Sequence, residues 1–348
     1  MIKFQGTRAD YGRYRGEFFR ENGHDFCRSC NEETLAKQLK IYQKYYPELI
    51  AEKRATAEFL GLEPDYLLYE DLAIFVDNQR RRIERHTHGC TIFAIHENGK
   101  TFVGRNYDWN SRVRDIFDSY LLDIKGVYRY FAFSDNGVWG RYLGKKHRTF
   151  YPEDAVNEHG LYIGLTYAHI DQWNYGLTPS HLIRYVAEHC KTTRQALNAF
   201  VRIPCAIPKN FLIADAKGDI AVVEHAAKTF EVVWPENDGV LVQTNHCLAP
   251  KLKKLDRVFI EDPQAATKVR YEEAAHLIRM QLPGFQFTDL WRILRQSHYI
   301  YNSETIWSLA LELSEQRFNI YYDTTMGQKH TKFSFPEESH DSKNNSKA

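Results

Sequence analysis

The sequence predicts an α+β fold in which two sheets lie between helical layers. Three observations carry that prediction. The chain has 348 residues, enough to bury a sizeable core. Its strand-like and helix-like segments come in alternating blocks, which fits packed layers. Two β-rich runs, Cys90–Ile95 and Lys100–Asn106, flank His96-Glu-Asn-Gly99, and Asn-Gly tolerates the positive φ of a tight hairpin turn.

The elements follow in order. After a glycine-spaced opening (Gly6, Gly12, Gly16), a helical region covers about 33–61. Leu35, Leu39, Tyr42, Tyr46 and Leu49 recur there at gaps of three and four, marking one face of a helix. Pro47 kinks or divides it. A second helical piece is expected from Tyr66 to Arg82, with Arg80, Arg81 and Arg82 as its solvated end. Past the hairpin, Leu161–Tyr167 reads as a strand. A helix pair follows at about 178–190 and 192–202, opened by Thr178-Pro179-Ser180. Asn210–Ala214, Asp219–Glu224, Thr229–Val233 and Gly239–Gln243 read as an antiparallel meander. Helices near 267–282 and 287–296 precede closing strands Thr305–Leu313 and Arg317–Tyr322.

Composition excludes several classes. Hydrophobic content is 43% and charged content 26%, those of a soluble globular protein. Lys and Arg (46) almost cancel Asp and Glu (45), so no global field draws nucleic acid or anionic lipid. The opening lacks an apolar core of signal-peptide length and no later stretch could span a bilayer, so a cytoplasmic location is expected. The six cysteines are then expected as thiols rather than a disulfide framework. The organisation read from these features is a helical N-terminal segment over 1–89, a core over 90–335, and a polar tail over 336–348 expected to be disordered.

The residues that carry chemistry gather around Cys90. The hairpin folds the end of its second strand back beside the start of the first. Arg105 and Asp108 therefore come close to Cys90 from fifteen and eighteen positions away. A cation beside a thiol favours the nucleophilic thiolate. On residue types alone, a small buried cysteine beside a structural ion pair is the plainer reading.

A family resemblance shifts that balance. Gly89-Cys-Thr-Ile-Phe-Ala94 with Gly104-Arg-Asn-Tyr-Asp-Trp109 resembles the penicillin acyltransferase (acyl-coenzyme A:isopenicillin N acyltransferase) family and its relatives, the choloylglycine hydrolases and acid ceramidase-like amidases. Asn157-Glu-His-Gly-Leu161, Ile213–Glu224, Thr244-Asn-His246, Thr305-Ile-Trp-Ser308 and the opening from Phe4 to Gly16 resemble further family motifs in order. The resemblance implies the four-layer αββα N-terminal-nucleophile hydrolase fold with two stacked antiparallel sheets. It also implies a cysteine amidase or acyltransferase on linear carbon–nitrogen bonds, acting through an acyl-thioester without cofactor or metal. Cys90 would become residue one of the mature chain after self-cleavage of the Gly89–Cys90 bond. Residues 1–89 would then remain as a pro-segment or small subunit.

The roles implied fall on matching positions. Asp108 would orient the Cys90 ammonium, and Arg105 would stabilise the thiolate or a polar substrate group. Asn245 would donate to the oxyanion, and Arg270 would match the family's later arginine, with Arg257 competing and an exposed helix charge the plainer alternative. Thr166 stands where the bile-salt relatives carry an oxyanion Asn. Asn106 and Tyr107 are weaker substrate or oxyanion candidates, and Tyr107, Trp109, Phe131, Phe133 and Trp139 are available to line an apolar acyl pocket or the ordinary core. His86 and His88 sit beside the Gly89–Cys90 bond, where either could assist its cleavage as a base, and are read as loop residues of the departing segment. The partners implied are a small N-acyl amide and the chain's own cleaved segment, with a homo-oligomer left open. The rival readings are a metal or redox site at His24, Cys27 and Cys30, or a non-catalytic protein that keeps the fold.

Overall fold

Pro47 divides the long helical region as its chemistry requires, because it cannot donate to the preceding turn but fits the first turn of a new helix. The computed structural model describes residues 1–22, 32–69, 72, 89–109, 114, 117–135, 151–258, 266–324 and 326–335. Strand β1 (Ile2–Gly6) and helix α1 (Arg8–Asn22) precede α2 (Glu32–Tyr45), α3 (Pro47–Phe59) and the short α4 (Tyr66–Leu68). The rest of the helix expected up to Arg82 lies outside the described residues apart from Tyr69 and Leu72, as do His24, Cys27, Cys30, His86, His88, Trp139 and the tail from Pro336.

The hairpin forms as read. Strands β2 (Thr91–Glu97) and β3 (Lys100–Asp108) pair antiparallel, with Thr91 opposite Asn106 and Ile92 opposite Arg105. Asn98 and Gly99 turn the chain at φ of 52° and 74°. Next come β4 (Phe117–Ile124), β5 (Tyr130–Asp135), β6 (Asp154–Asn157) and β7 (Tyr162–Tyr167). Helices α5 (Pro179–His189) and α6 (Thr193–Arg202) are capped by Thr178 and Thr192. They lead to β8 (Lys209–Ala214), β9 (Ile220–His225), β10 (Phe230–Val233) and β11 (Val240–Gln243). The chain closes through α7 (Pro250–Lys253), α8 (Ala266–Arg279), α9 (Phe287–Gln296), β12 (Thr305–Glu312), β13 (Arg317–Thr324) and β14 (Gly327–Phe333).

These strands make an eight-stranded sheet, β1-β4-β5-β6-β7-β8-β9-β10, and a six-stranded sheet, β11-β2-β3-β12-β13-β14. Three apolar cores separate four layers. Tyr42, Leu49, Leu182 and Phe200 pack α2, α3, α5 and α6 onto Tyr130, Ile163 and Phe211 of the first sheet. Ile92, Ala94 and Leu309 of the second sheet meet Leu121, Phe131 and Val222 of the first. Phe93, Ile95 and Val242 face α8 and α9 through Ala274, Ile278 and Leu290. The alternation of Ile92 and Ala94 inward with Phe93 and Ile95 outward is the period of two that a strand covered on both faces imposes.

Three departures from the sequence reading matter. The four-strand meander breaks after β10: β11 crosses to the second sheet and pairs with β2, Val242 opposite Phe93. The reason is burial, since β11 is buried on both faces whereas β10 is only half-buried. The sheets are also not wholly antiparallel, because edge strand β1 runs parallel to β4. Finally, β1, α1, β4, β5, β6 and β14 carry no strong sequence signal. The glycine spacing of the opening proves to be packing: a Cβ on Gly12 would stand 2.4 Å from the Glu52 carbonyl oxygen, and one on Gly16 2.6 Å from the Phe59 ring. These glycines let α1 lie close against α3. Among the described residues no helix is long and apolar enough to cross a membrane.

Candidate active site

Cys90 stands immediately before β2, buried, on the face of the hairpin that meets the first sheet. Its backbone N–H donates to Asn245 Oδ1 at 2.5 Å. Arg270, from α8, donates to the Cys90 carbonyl, to Thr91 Oγ1 at 3.3 Å and to Asn245 Oδ1 at 3.0 Å. Two donors on one atom fix that end of the Asn245 amide as the oxygen. Its Nδ2 therefore points the other way, toward the Tyr167 carbonyl at 3.3 Å.

Arg270 is not an exposed helix charge; it is 6% exposed and passes directly beside Gly89. The competing Arg257 instead pairs with Asp171 at 2.5 Å and is part-exposed.

Arg105 and Asp108 approach from β3, as the hairpin requires. Arg105 is completely buried. Its Nε donates to Asp154 Oδ2 at 3.2 Å, Nη1 to the Asn106 carbonyl at 3.1 Å and Nη2 to the Leu165 carbonyl at 2.9 Å. Asp108 accepts from Thr305 Oγ1 at 2.8 Å and Asn302 Nδ2 at 3.1 Å. Burial pushes its carboxyl up to about 6, although the charges of Arg270 and Arg105 and those two hydrogen bonds pull it down. Burial likewise holds the Cys90 thiol above its ordinary value. The Arg105 charge opposes this, the Asp108 charge adds to it, and hydrogen bonds from the Asp108 backbone and the Arg105 side chain favour the thiolate.

The remaining candidates separate. Tyr107 lies in the same apolar cluster as Cys90, its ring stacked on Trp307 at 3.9 Å between centroids, with the Arg105 guanidinium 5.1 Å above it. Thr166 is buried, but its hydroxyl donates to the Thr244 carbonyl and accepts from Asn210 Nδ2 at 3.3 Å. That proton is committed to the Asn245 loop, which corrects the reading of Thr166 as an oxyanion donor. Asn106 is also corrected: its Nδ2 donates to the Leu294 and Ile300 carbonyls at 2.8 and 2.9 Å, on the helical side of the sheet. Alternation along β3 sends neighbouring side chains to opposite faces. His246 is buried beside Thr244 and Thr267, and burial pushes its imidazole down to about 4.

Sequence reasoning missed Asp154, Tyr162, Thr267 and Asn302. Thr267 Oγ1 accepts from the Asn245 backbone N–H at 2.8 Å and so sets the loop. Asn302 lies in a turn whose Asn302-x-x-Thr305 spacing is a capping signal that was available to read. Asp154 carries no local signal, because its partners are on other strands. Among the described residues no group of three or more metal-ligating side chains gathers, and Cys90, Cys190, Cys205 and Cys247 are free thiols.

Two sheets packed face to face between helical layers are the fold of the N-terminal-nucleophile hydrolases. The chain belongs to the acyl-coenzyme A:6-aminopenicillanic acid acyl-transferase family, whose model matches residues 95–326. That stretch contains Arg105, Asp108, Asn245 and Arg270 and begins just after Cys90. Among solved structures it is similar to the Caenorhabditis elegans ortholog of N-acylethanolamine-hydrolyzing acid amidase, at 16% identity and a TM-score of 0.50 over 65% of this chain and 93% of that one. It is also similar to penicillin V acylase from Agrobacterium tumefaciens, at 15% identity and a TM-score of 0.49 over 70% of this chain and 86% of that one. No curated protein sequence matches the chain at a significant level.

Proposed function

We propose that the chain is a self-activating cysteine amidase or acyltransferase that acts on the amide bond of a small N-acyl substrate. One observation carries this reading: a buried thiol, two arginines, a carboxylate and a side-chain amide converge on the Gly89–Cys90 junction. Family membership and the amidase named among the similar structures support it.

In the first step the Cys90 sulfur, losing its proton, attacks the Gly89 carbonyl carbon. The C–S bond forms as the Gly89–Cys90 C–N bond breaks, and the nitrogen takes up a proton to become the α-amine of Cys90. Water opens the thioester, leaving a Gly89 carboxylate and a free thiol.

The mature site then works by the same chemistry on an outside amide. The α-amine, whose ordinary pKa of about 7.7–8.0 suits a base near neutrality, accepts the thiol proton. The sulfur adds to the substrate carbonyl carbon while Asn245 Nδ2 donates to the oxyanion. The ammonium, oriented by Asp108, passes its proton to the leaving nitrogen, and the C–N bond breaks. An acyl-thioester remains on Cys90. Water resolves it in hydrolysis; a second amine resolves it in acyl transfer, the outcome the family's description favours.

The cleaved segment stays bound in this reading. Strand β1 extends the first sheet, and Arg8 and Glu52 of the segment join Glu188 and Arg184 of the core in buried ion pairs of 2.5–3.3 Å. Intact mass spectrometry tests the proposal. Wild-type protein should yield co-purifying fragments 1–89 and 90–348, and Cys90→Ala a single chain. A panel of N-acyl amino acids, penicillins, bile conjugates and long-chain N-acyl amines then assigns the acyl group. Uncut wild-type protein, silent on every substrate, would overturn the reading.

A further inference from the structure

Arg105 reaches toward the Cys90 sulfur from a fixed mount. Three of its five N–H groups are held by protein oxygens, and the one charged partner among those is Asp154. Asp154 comes from β6 of the opposite sheet, so this ion pair bridges the two sheets, and both side chains are 0% exposed. The carboxylate is itself held in place. Tyr162 donates its hydroxyl to Oδ1 at 2.6 Å, and Trp307 Nε1 donates to Oδ2 at 3.2 Å beside the Arg105 contact. Trp307 is the ring on which Tyr107 stacks, so one packed unit fixes carboxylate, guanidinium and the wall beside Cys90.

We propose that Asp154 is a positioning residue that aims Arg105 at the Cys90 sulfur and, by its own charge, limits how far that arginine stabilises the thiolate. This rests on the reading of Cys90 as the nucleophile. An unopposed arginine against a buried thiol would favour the thiolate strongly, because little solvent screens the pair. A thiolate that is too stable is a weaker nucleophile and a poor match to an amine base. A fixed carboxylate on the far side of the guanidinium leaves a directed but moderated cation. Cys90 then keeps its proton until the base takes it.

Asp154→Asn tests this: its amide oxygen, placed where Oδ2 lies, can still accept from Arg105 Nε and Trp307 Nε1, its NH2 can donate to the Tyr162 hydroxyl oxygen, and the charge is gone. The measurement is the pH dependence of Cys90 alkylation by iodoacetamide, read by peptide mass spectrometry. It needs no turnover, so it reports on Asp154 even if the amidase reading fails. The alkylation midpoint should fall by about one pH unit in Asp154→Asn, the size expected for one nearby charge. An unchanged or raised midpoint would reduce Asp154 to a structural role and overturn the proposal.

The effect should also run through the arginine. In an Arg105→Gln background, Asp154→Asn should move the midpoint by less than half as much. A full shift there would show the carboxylate acting on sulfur directly, and would equally overturn the proposal. The double variant buries no unpaired charge. If Asp154→Asn alone fails to fold, the comparison of Arg105→Gln with Arg105→Gln/Asp154→Asn keeps the proposal falsifiable, because a shift of about one pH unit there overturns it.

Discussion

Arg270 lies against Gly89 so closely that a Cβ there would sit 2.0 Å from Nη2 and 2.4 Å from Cζ. A methyl group can be accommodated only if the guanidinium gives up its hold on the Cys90 carbonyl and on Asn245. Gly89→Ala should therefore slow conversion to the 1–89 and 90–348 fragments by at least about tenfold, on the principle that a small misplacement of aligned reacting groups is costly. Densitometry of the uncut chain with time after synthesis measures it. Cleavage at the wild-type rate would show that Arg270 does not act at that bond.

Asn245 is held on three sides. Thr267 fixes its backbone N–H, and Cys90 and Arg270 hold its carbonyl oxygen. One N–H of its Nδ2 is taken by the Tyr167 carbonyl, and the other remains to face a reacting carbonyl. Asn245→Ala should lower kcat by about 100- to 1,000-fold, the usual effect of losing one oxyanion donor, with a smaller change in KM. Steady-state kinetics on the best amide of the panel measures it. A loss confined to KM would mean that Asn245 binds the ground state instead.

What could be read in advance divides along physical lines. Hairpin and helix positions were legible because their signals are local: Asn98-Gly99 sets a turn, Pro47 breaks a helix, Thr178 caps one. The approach of Arg105 to Cys90 followed from that hairpin, and Asn245 and Arg270 from a family likeness that the family match upholds. Strand β4 was not legible, since Asp118 and Asp123 interrupt its apolar run, and β6 is only four residues long. Asn106 and Thr166 have side chains of the right type within a residue or two of the site. Which face they occupy, and which carbonyl takes their protons, depends on α9 and on the Thr244 loop.

Asp108 should leave a signature in stability against pH. Its buried carboxyl is pushed up to about 6, above the value of about 3.9 in an unfolded chain. A raised carboxyl binds its proton more tightly when folded. The stability this gives is fully present below pH 4 and is lost as the pH rises through 6. In the uncut Cys90→Ala chain, where no α-ammonium faces the carboxylate, Asp108→Asn removes that dependence. The stability of the Asp108 chain relative to its Asn variant should fall by roughly 2 kcal/mol between pH 4 and pH 7. Urea denaturation at several pH values measures it; a constant difference would show that the carboxyl titrates normally.

The two parts of the chain should separate in acid. Burial alone would raise the Glu188 carboxyl, but the charges of Arg184 and Arg8 hold it well below the usual range, and Arg184 and Arg8 likewise keep Glu52 low. Because these pKa values are depressed, the stability they give is present above about pH 4.5 and is lost as the pH falls below it. Arg8 and Glu52 belong to the segment before Gly89, and Arg184 and Glu188 to the core, so that stability holds one to the other. Size-exclusion chromatography of the cleaved protein should show one species at pH 7 and release of the 1–89 fragment near pH 3. Arg184→Ala leaves Glu52 buried with weaker compensation, a loss typically worth about 3–5 kcal/mol. It should release the fragment at pH 7. Co-elution of Arg184→Ala fragments at neutral pH would mean that the apolar contacts of α2 and α3 suffice to hold the segment without the ion pairs.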